Sequence, residues 1–148
     1  MNMILTELIT SFFGSLGFAL VFNVRRKNIF PVALGGLIVC LFYQISFHLF
    51  DGGIFLSSLV AGSVCQIYSE FLARILKSPA TVFYITSLIP LIPGGSLYRT
   101  MEAVVEKDLV SIQKFGFQTL YTTLGLAIGI SFITALLHLF RAWKTRKK

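Results

Sequence analysis

Four apolar runs constrain this chain more than any other feature of its sequence. They occupy residues 3–24, 29–50, 53–68 and 115–140. A transmembrane helix needs about 20 predominantly apolar residues to cross ~30 Å of hydrocarbon. Only 13% of the residues are charged, which is about half the fraction found in soluble domains. The sequence therefore predicts an all-α integral membrane protein with a single transmembrane domain, residues 1–148.

A fifth apolar segment, residues 80–105, is interrupted by the sequence PLIPGG, which begins at Pro90 and ends at Gly95. The two prolines remove backbone donors and disfavour helix just before them. The two glycines permit backbone angles that other residues avoid. We expect one helix to end near residues 88–92 and an amphipathic helix to begin after the second glycine, with Ser96 as its N-cap. About five transmembrane helices are predicted, the fourth of them broken, with a re-entrant fourth segment as the alternative.

The positions of the basic residues predict how the chain crosses the membrane. If the chain crosses five times and its N-terminus is outside, ten of the thirteen Lys and Arg residues lie on the cytoplasmic side, as the positive-inside rule requires. These ten are the cluster 25–27, Arg74, Lys77 and a basic cytoplasmic tail within residues 141–148. If the broken segment did not cross, this tail would end opposite the first cluster. We therefore predict a multi-pass protein of the cell (inner or plasma) membrane with a cytoplasmic C-terminus.

Composition also excludes several classes of function. The net charge of +7 comes from juxtamembrane clusters that suit anionic membrane lipids, so no nucleic-acid partner is expected. Cys40 and Cys65 lie inside apolar segments and are interpreted as small buried hydrophobic residues. The sequence contains no nucleophile–base motif, no metal-ligand spacing and no phosphate-binding loop. We expect no enzyme activity, no catalytic residue, no metal and no cofactor.

The break is interpreted as a substrate site. Irregular backbone at membrane depth has to be buried in protein or line a wet cavity. The amides at the N-terminus of a half-helix carry partial positive charge, which suits a carboxylate. We expect the amides to receive a substrate carboxylate, Tyr98 to add a hydroxyl, and Arg99 to add charge or pair with Glu102. The candidate substrate-binding residues are Pro90, Pro93, Gly94, Gly95, Ser96, Tyr98 and Arg99.

This hypothesis has a steric consequence and an alternative. A bulky residue at Gly94 or Gly95 is expected to abolish transport while membrane insertion stays intact. The alternative is a surface loop that joins two short helices, in which proline and glycine only make the turn.

A second candidate group lies before the break. Glu70 and Arg74 stand at i,i+4 on a predicted helix, in the order that favours an ion pair, and Lys77 follows. We interpret them as an ordinary interfacial helix end, with a cytoplasmic gate or a partner-docking surface as the functional alternative.

Two weaker features complete the pattern. Gly125 and Gly129, in the sequence GLAIG, predict only that their helix packs tightly. Glu7 is the only acidic residue inside the four predicted unbroken spans, and we interpret it as snorkelling to the surface.

Residues 69–101, SEFLARILKSPATVFYITSLIPLIPGGSLYRTM, resemble the most characteristic stretch of the threonine/serine exporter family, specifically its short membrane component. The sequence FNVRRK at residues 22–27 resembles the family's basic turn, although Val24 stands where the family commonly has a proline. The likeness covers nearly the whole chain. It implies a chain similar to the C-terminal half of the single-chain exporters.

The resemblance implies the small membrane subunit of a two-component, ion-gradient-driven exporter of small carboxylate-bearing metabolites. Threonine and serine are the expected substrates, and a larger membrane subunit of the same family is the expected partner. A dicarboxylate (succinate-type) exporter subunit and a non-transporting scaffold subunit are the alternatives. A third alternative is a homo-oligomer of this chain that forms a complete channel without a partner.

Overall fold

The computed structural model describes residues 2–146, apart from the side chains of residues 2, 141 and 144–146, and this part of the chain contains no strand. It consists of six α-helices and one short 3₁₀ turn within that range. The helices are α1 (Asn2–Val21), α2 (Arg26–Leu49), α3 (Ile54–Leu76), α4 (Ala80–Leu88), α5 (Gly94–Glu106) and α6 (Leu109–Arg146), and the 3₁₀ turn (Ile89–Leu91) follows α4. The predicted all-α fold is confirmed.

Four of these helices, α1, α2, α3 and α6, are long and apolar enough to cross a membrane. The segments Ala80–Leu91 and Gly94–Glu106 form a fifth candidate span, bent by 49° at the break. The helices also extend beyond the predicted spans. For example, α3 continues past residue 68 to Leu76, because the polar residues that end its apolar run are still good helix formers. The predicted basic tail continues α6 as far as Arg146, and its last two residues lie outside the described residues.

The contacts between α3 and α6 show that the segment connecting these two helices crosses the bundle from one end to the other. A Cβ built on Gly125 would lie 2.6 Å from the carbonyl oxygen of Phe55, and one on Gly129 would collide with the carbonyl oxygen of Leu59. The contact positions increase together along both helices, so α3 and α6 are parallel and start at the same end. A broken segment that turned back would have made them antiparallel. The tight packing predicted for the two glycines is confirmed as well.

The interior of the bundle consists mostly of small residues. Phe83 is the largest fully buried side chain, and many of the other buried positions are serine, threonine or alanine. The large apolar side chains point outwards instead, as expected for helices surrounded by lipid, where close backbone approach rather than apolar burial drives association. The buried serines and threonines are Ser11, Ser15, Ser46, Ser57, Ser58, Ser69, Thr86, Ser87 and Thr122.

The half of the broken span before the break is held deep in the bundle. Phe83 packs with Ala19 and Val32, and the Ser87 hydroxyl donates a hydrogen bond of 3.1 Å to the Val32 carbonyl. Pro90 then lies beside Gly14 of α1. The 3₁₀ turn is therefore anchored against both α1 and α2 before the chain bends.

After the break, the only helix that α5 packs against within residues 2–146 is α6. The two helices are antiparallel: the Thr119 hydroxyl lies 3.0 Å from the Ser96 hydroxyl, and Thr100 faces Gly116. Asp108 caps α6, because its Oδ1 atom accepts hydrogen bonds from the amides of the second and third residues that follow it. The 49° bend thus moves the second half of the broken span from the centre of the bundle onto the first turns of α6.

Candidate substrate site at the helix break

The break lies where the sequence predicts it, but its second helix begins earlier. The backbone is extended at Ile92 (φ −61°, ψ 128°), Pro93 occupies the N-cap position and α5 begins at Gly94. The prediction that Ser96 caps this helix is wrong. Both glycines adopt helical angles, so the Pro93 carbonyl already accepts the amide of Leu97 at 3.0 Å, and the Ser96 hydroxyl donates back to the same carbonyl at 3.1 Å.

Two backbone amides at this helix start lack a partner in the helix ladder. The Gly94 amide donates to the Ile92 carbonyl at 2.7 Å, so this amide is already used. The amides of Gly95 and Ser96 come before the first i−4 acceptor that helix geometry provides. These two groups carry the partial positive charge of the α5 N-terminus.

A cavity of about 330 Å³ lies beside the break, and we call it the break cavity. Its volume is within the range of small-molecule sites. Eight of its twelve lining residues have a side-chain oxygen or nitrogen atom. It is lined by Glu7, Thr10, Ser11, Cys40, Tyr43, Gln44, Pro90, Leu91, Pro93, Ser96, Gln118 and Thr122.

Glu7 supplies the only carboxylate in this lining. The amide nitrogen of Gln44 donates a hydrogen bond to the Glu7 carboxylate, and the Cys40 thiol lies 3.8 Å from the Glu7 backbone carbonyl. The Glu7 carboxylate therefore lines a cavity, and the snorkelling interpretation stays a prediction. Sequence reasoning missed this role, although the antiparallel pairing of the first two spans could have placed Glu7 beside Gln44.

The structure divides the seven predicted substrate residues into two groups. Pro90, Pro93 and Ser96 line the break cavity. The remaining four are exposed and lie outside its lining; they are Gly94, Gly95, Tyr98 and Arg99. They separate because α5 bends away from the bundle.

Two of these four residues have surroundings that differ from the predicted ones. The guanidinium carbon of Arg99 lies 5.4 Å from the ring centroid of Phe115 on α6, in cation–π geometry. The Tyr98 side chain is 69% exposed. Their predicted contribution to substrate binding stays a prediction, and it would require a ligand that reaches out of the break cavity.

The electrostatics of the break cavity are dipolar. Ser96 lines the cavity at the N-terminus of α5, which carries partial positive charge, and the negatively charged Glu7 carboxylate lines the cavity from α1. A half-helix N-terminus binds carboxylates, and a buried carboxylate binds cations such as an ammonium. Hydroxyl and amide groups of Tyr43, Gln118 and Thr122 complete the lining. The arrangement can therefore bind a small molecule that carries both charges and a hydroxyl.

The family model of the Threonine/Serine exporter, ThrE, matches residues 7–136. The chain belongs to the threonine/serine exporter family. It is thus a multi-pass membrane protein of transporter type, as its apolar helices also indicate. No solved structure matches the chain. The matched range includes Glu7 and the whole break, so every residue that lines the break cavity lies within the part of the chain that matches the family.

Of the predicted gate or docking residues of this exporter-family chain, only one lines a cavity. Lys77 ends α3 in a left-handed conformation (φ 48°) and lines a second cavity, described below. Arg74 is exposed and Glu70 is half-buried on the preceding turns of α3, outside that lining. A gate or partner-docking role for these three residues stays a prediction.

Proposed function

We propose that this chain is the small membrane subunit of a two-component, ion-gradient-driven exporter of threonine and serine. One observation carries the proposal: the break cavity places the Glu7 carboxylate and the α5 N-terminus in the same small polar space. Family membership supports transport of this type of substrate. The sequence has no phosphate-binding loop, so an ion gradient is the energy source that suits the chain.

The charges of the break cavity favour an amino acid over a dicarboxylate. An amino acid can place its carboxylate at the unpaired amide of Ser96 and its ammonium at Glu7. A dicarboxylate would bring a second negative charge close to Glu7, which is unfavourable in a site of low dielectric constant. The hydroxyl of threonine or serine has partners in the lining, such as Gln118 and Thr122.

The exposed face of α5 supports the need for a partner subunit. Ser96, Thr100 and Ala103 are the residues of α5 that turn towards α6, and they are small. The large apolar side chains of α5 are about half or more exposed, and they are Leu97, Tyr98, Met101, Val104 and Val105. Transport pathways are commonly formed between two sets of helices. The proposal is that the larger subunit packs here and completes the pathway; a homo-oligomer of this chain is the alternative.

The proposed orientation places the N-terminus outside the cell and the C-terminus in the cytoplasm of a cell membrane. The basic clusters at the ends of α1, α3 and α6 support it through the positive-inside rule. Glu7, Cys40 and Gln44 lie towards the opposite end of the bundle from those clusters. In this orientation the break cavity lies in the external half of the membrane.

The test is the flux of labelled threonine and labelled succinate in proteoliposomes, with this chain alone and with a larger family subunit. The proposal expects threonine flux only when both chains are present. Flux with this chain alone would show that a homo-oligomer builds the whole pathway. Succinate flux without threonine flux would show a dicarboxylate exporter, and no flux from a folded pair would favour the scaffold.

The break cavity has its own test. Glu7→Gln keeps the size of the side chain and removes its charge, so we expect threonine flux to fall at least tenfold, about 1.4 kcal/mol. The matched control is Glu102→Gln, which removes the same charge from an exposed position of α5 outside the cavity. Equal flux in the two variants would overturn the role of Glu7 and leave the two-subunit proposal to the first test.

A further inference from the structure

A second cavity, of about 610 Å³, lies at the opposite end of the bundle from the break cavity. We call it the basic cavity, because Arg25 and Lys77 are its only charged lining residues. It is enclosed by the turn after α1, the start of α2, the end of α3 and the start of α4. Its lining comprises Phe22, Asn23, Val24, Arg25, Asn28, Lys77, Ser78, Pro79, Thr81, Val82, Ile85 and Thr86.

Two helix N-termini meet at the basic cavity. α2 begins after Arg25 and α4 begins after Pro79, and neither has a side-chain cap. The amides of their first turns therefore add partial positive charge to that of the two basic side chains. Such amides together with Arg and Lys are the usual donors to phosphate oxygens.

A buried acceptor in the same lining lacks a donor. Asn28 is 2% exposed, and its Nδ2 atom donates to the Ser78 hydroxyl at 3.0 Å. Its Oδ1 atom is buried and has no hydrogen-bond partner within the described residues. An unsatisfied buried acceptor is costly, because folding has removed its hydrogen bonds to water and supplied none in return. A ligand hydroxyl that donates to this oxygen would recover that cost.

Part of the wall of the basic cavity is apolar and opens to the surface of the bundle. Phe22 is 54% exposed and Ile85 is 42% exposed, and Val24 and Val82 lie beside them in the lining. Because the outer surface of a membrane bundle faces lipid, this side gives a route for a hydrocarbon chain. The cavity thus combines a site for an anion, an acceptor for a hydroxyl and an apolar exit.

We propose that the basic cavity binds an anionic glycerophospholipid whose headgroup carries a free hydroxyl. The phosphate lies between Arg25 and Lys77 at the two helix N-termini, the headgroup hydroxyl donates to Asn28 Oδ1, and an acyl chain leaves past Phe22 and Ile85. Basic pockets between transmembrane helices are known binding places for such headgroups. The lipid joins α1, α2, α3 and α4 at the end of the bundle where only short turns connect them.

The test is native mass spectrometry of the purified chain released from nanodiscs of phosphatidylcholine that contain phosphatidylglycerol or phosphatidic acid. We expect phosphatidylglycerol to be retained preferentially over both other lipids, because only its headgroup combines a net negative charge with free hydroxyls. Arg25→Gln and Lys77→Asn should each lower retention at least fivefold. Asparagine is chosen at position 77 because it tolerates the left-handed conformation.

Matched controls exist on the same two elements. Arg26→Gln and Arg74→Gln remove equal charge from exposed positions outside the lining, and they should retain the lipid as the wild type does. Asn28→Ala should abolish the preference for phosphatidylglycerol over phosphatidic acid. The proposal is overturned if the controls lose as much lipid as the cavity variants, or if labelled threonine displaces the lipid, since the cavity would then hold a small carboxylate.

Discussion

The α3–α6 contact and the helix break both contain glycines, but the glycines serve different purposes. At the contact, a Cβ on Gly125 would meet the backbone of α3 at 2.6 Å, and one on Gly129 would collide with it. At the break, a Cβ on Gly94 or Gly95 would meet no atom within 4 Å. The first pair allows two backbones to touch, whereas the second pair lies in open space on the first turn of α5, just after the chain changes direction at Ile92 and Pro93.

The molecule is therefore tightly packed at the α3–α6 contact and open at the break. The contact fixes α3 and α6 as a parallel pair, and backbone atoms cannot move aside cheaply. Among the described residues, α5 packs against no helix other than α6, and its large apolar side chains are exposed. Four substitutions test this contrast, and we expect their effects to decrease in the order given.

Gly129→Leu should have the largest effect. The new side chain would have to displace the backbone at Leu59 and Ser63, and overpacking of this kind costs about 1–3 kcal/mol or more. We expect a lower midpoint of chemical unfolding in detergent micelles, with loss of folded protein. The matched control is Gly17→Leu on α1, where a Cβ meets nothing within 4 Å. Similar midpoints for the two variants would contradict the tight contact.

Thr119→Val should loosen α5 without disturbing α3. The substitution keeps the shape of the side chain and removes the donor that lies 3.0 Å from the Ser96 hydroxyl, at a cost of about 1 kcal/mol. Hydrogen exchange should become faster in α5. Thr123→Val is the control, since Thr123 makes only the same i−4 bond to backbone that Thr119 also makes. Unchanged exchange in α5 would show that this hydrogen bond does not hold the helix.

Gly95→Ala should be neutral or stabilising, by up to about 1 kcal/mol, because Gly95 has helical angles and open space. We also expect transport within twofold of the wild type. The sequence-based expectation that a bulky residue at this position would abolish transport concerns a larger side chain and stays a prediction. Proteoliposome flux and unfolding midpoints measure the two effects. Lost flux in a folded Gly95→Ala protein would show that substrate or the partner subunit uses the space beside this glycine.

The smallest effect is expected from pH at the α5–α6 turn. Hydrogen bonds from the Ser111 hydroxyl, the Ser111 amide and the Val110 amide hold the pKa of the Asp108 carboxyl below its usual value of 3.8. The ionised form is favoured by folding, so its contribution is present above the usual pKa and is lost as pH falls through the lowered pKa. Unfolding midpoints between about pH 5 and pH 2 should fall more for the wild type than for Asp108→Asn, which keeps the cap. Parallel pH profiles would contradict this role.

Much of the fold could be predicted because its signals are local. Apolar runs identify the spans, and Pro90 and Pro93 mark the break, since a residue without an amide hydrogen interrupts a helix wherever it lies. The prediction of Ser96 as the N-cap of α5 is wrong because the helix begins at Gly94 if the two glycines adopt helical angles and after Gly95 if they do not. The sequence does not specify these angles. The role of Glu7 was missed because its partner, Gln44, lies on another helix.

Apolar runs, prolines and a family motif are enough to identify a multi-pass all-α membrane protein of the threonine/serine exporter family, broken at PLIPGG, because all three are properties of neighbouring residues. Which residues surround the break depends on the tertiary structure. The packing of the 3₁₀ turn against α1 brings Glu7 and Ser96 to the same cavity across 89 positions of sequence, and the 49° bend takes Arg99 away to Phe115. These contacts join residues that are far apart in the sequence, so local sequence patterns do not predict them.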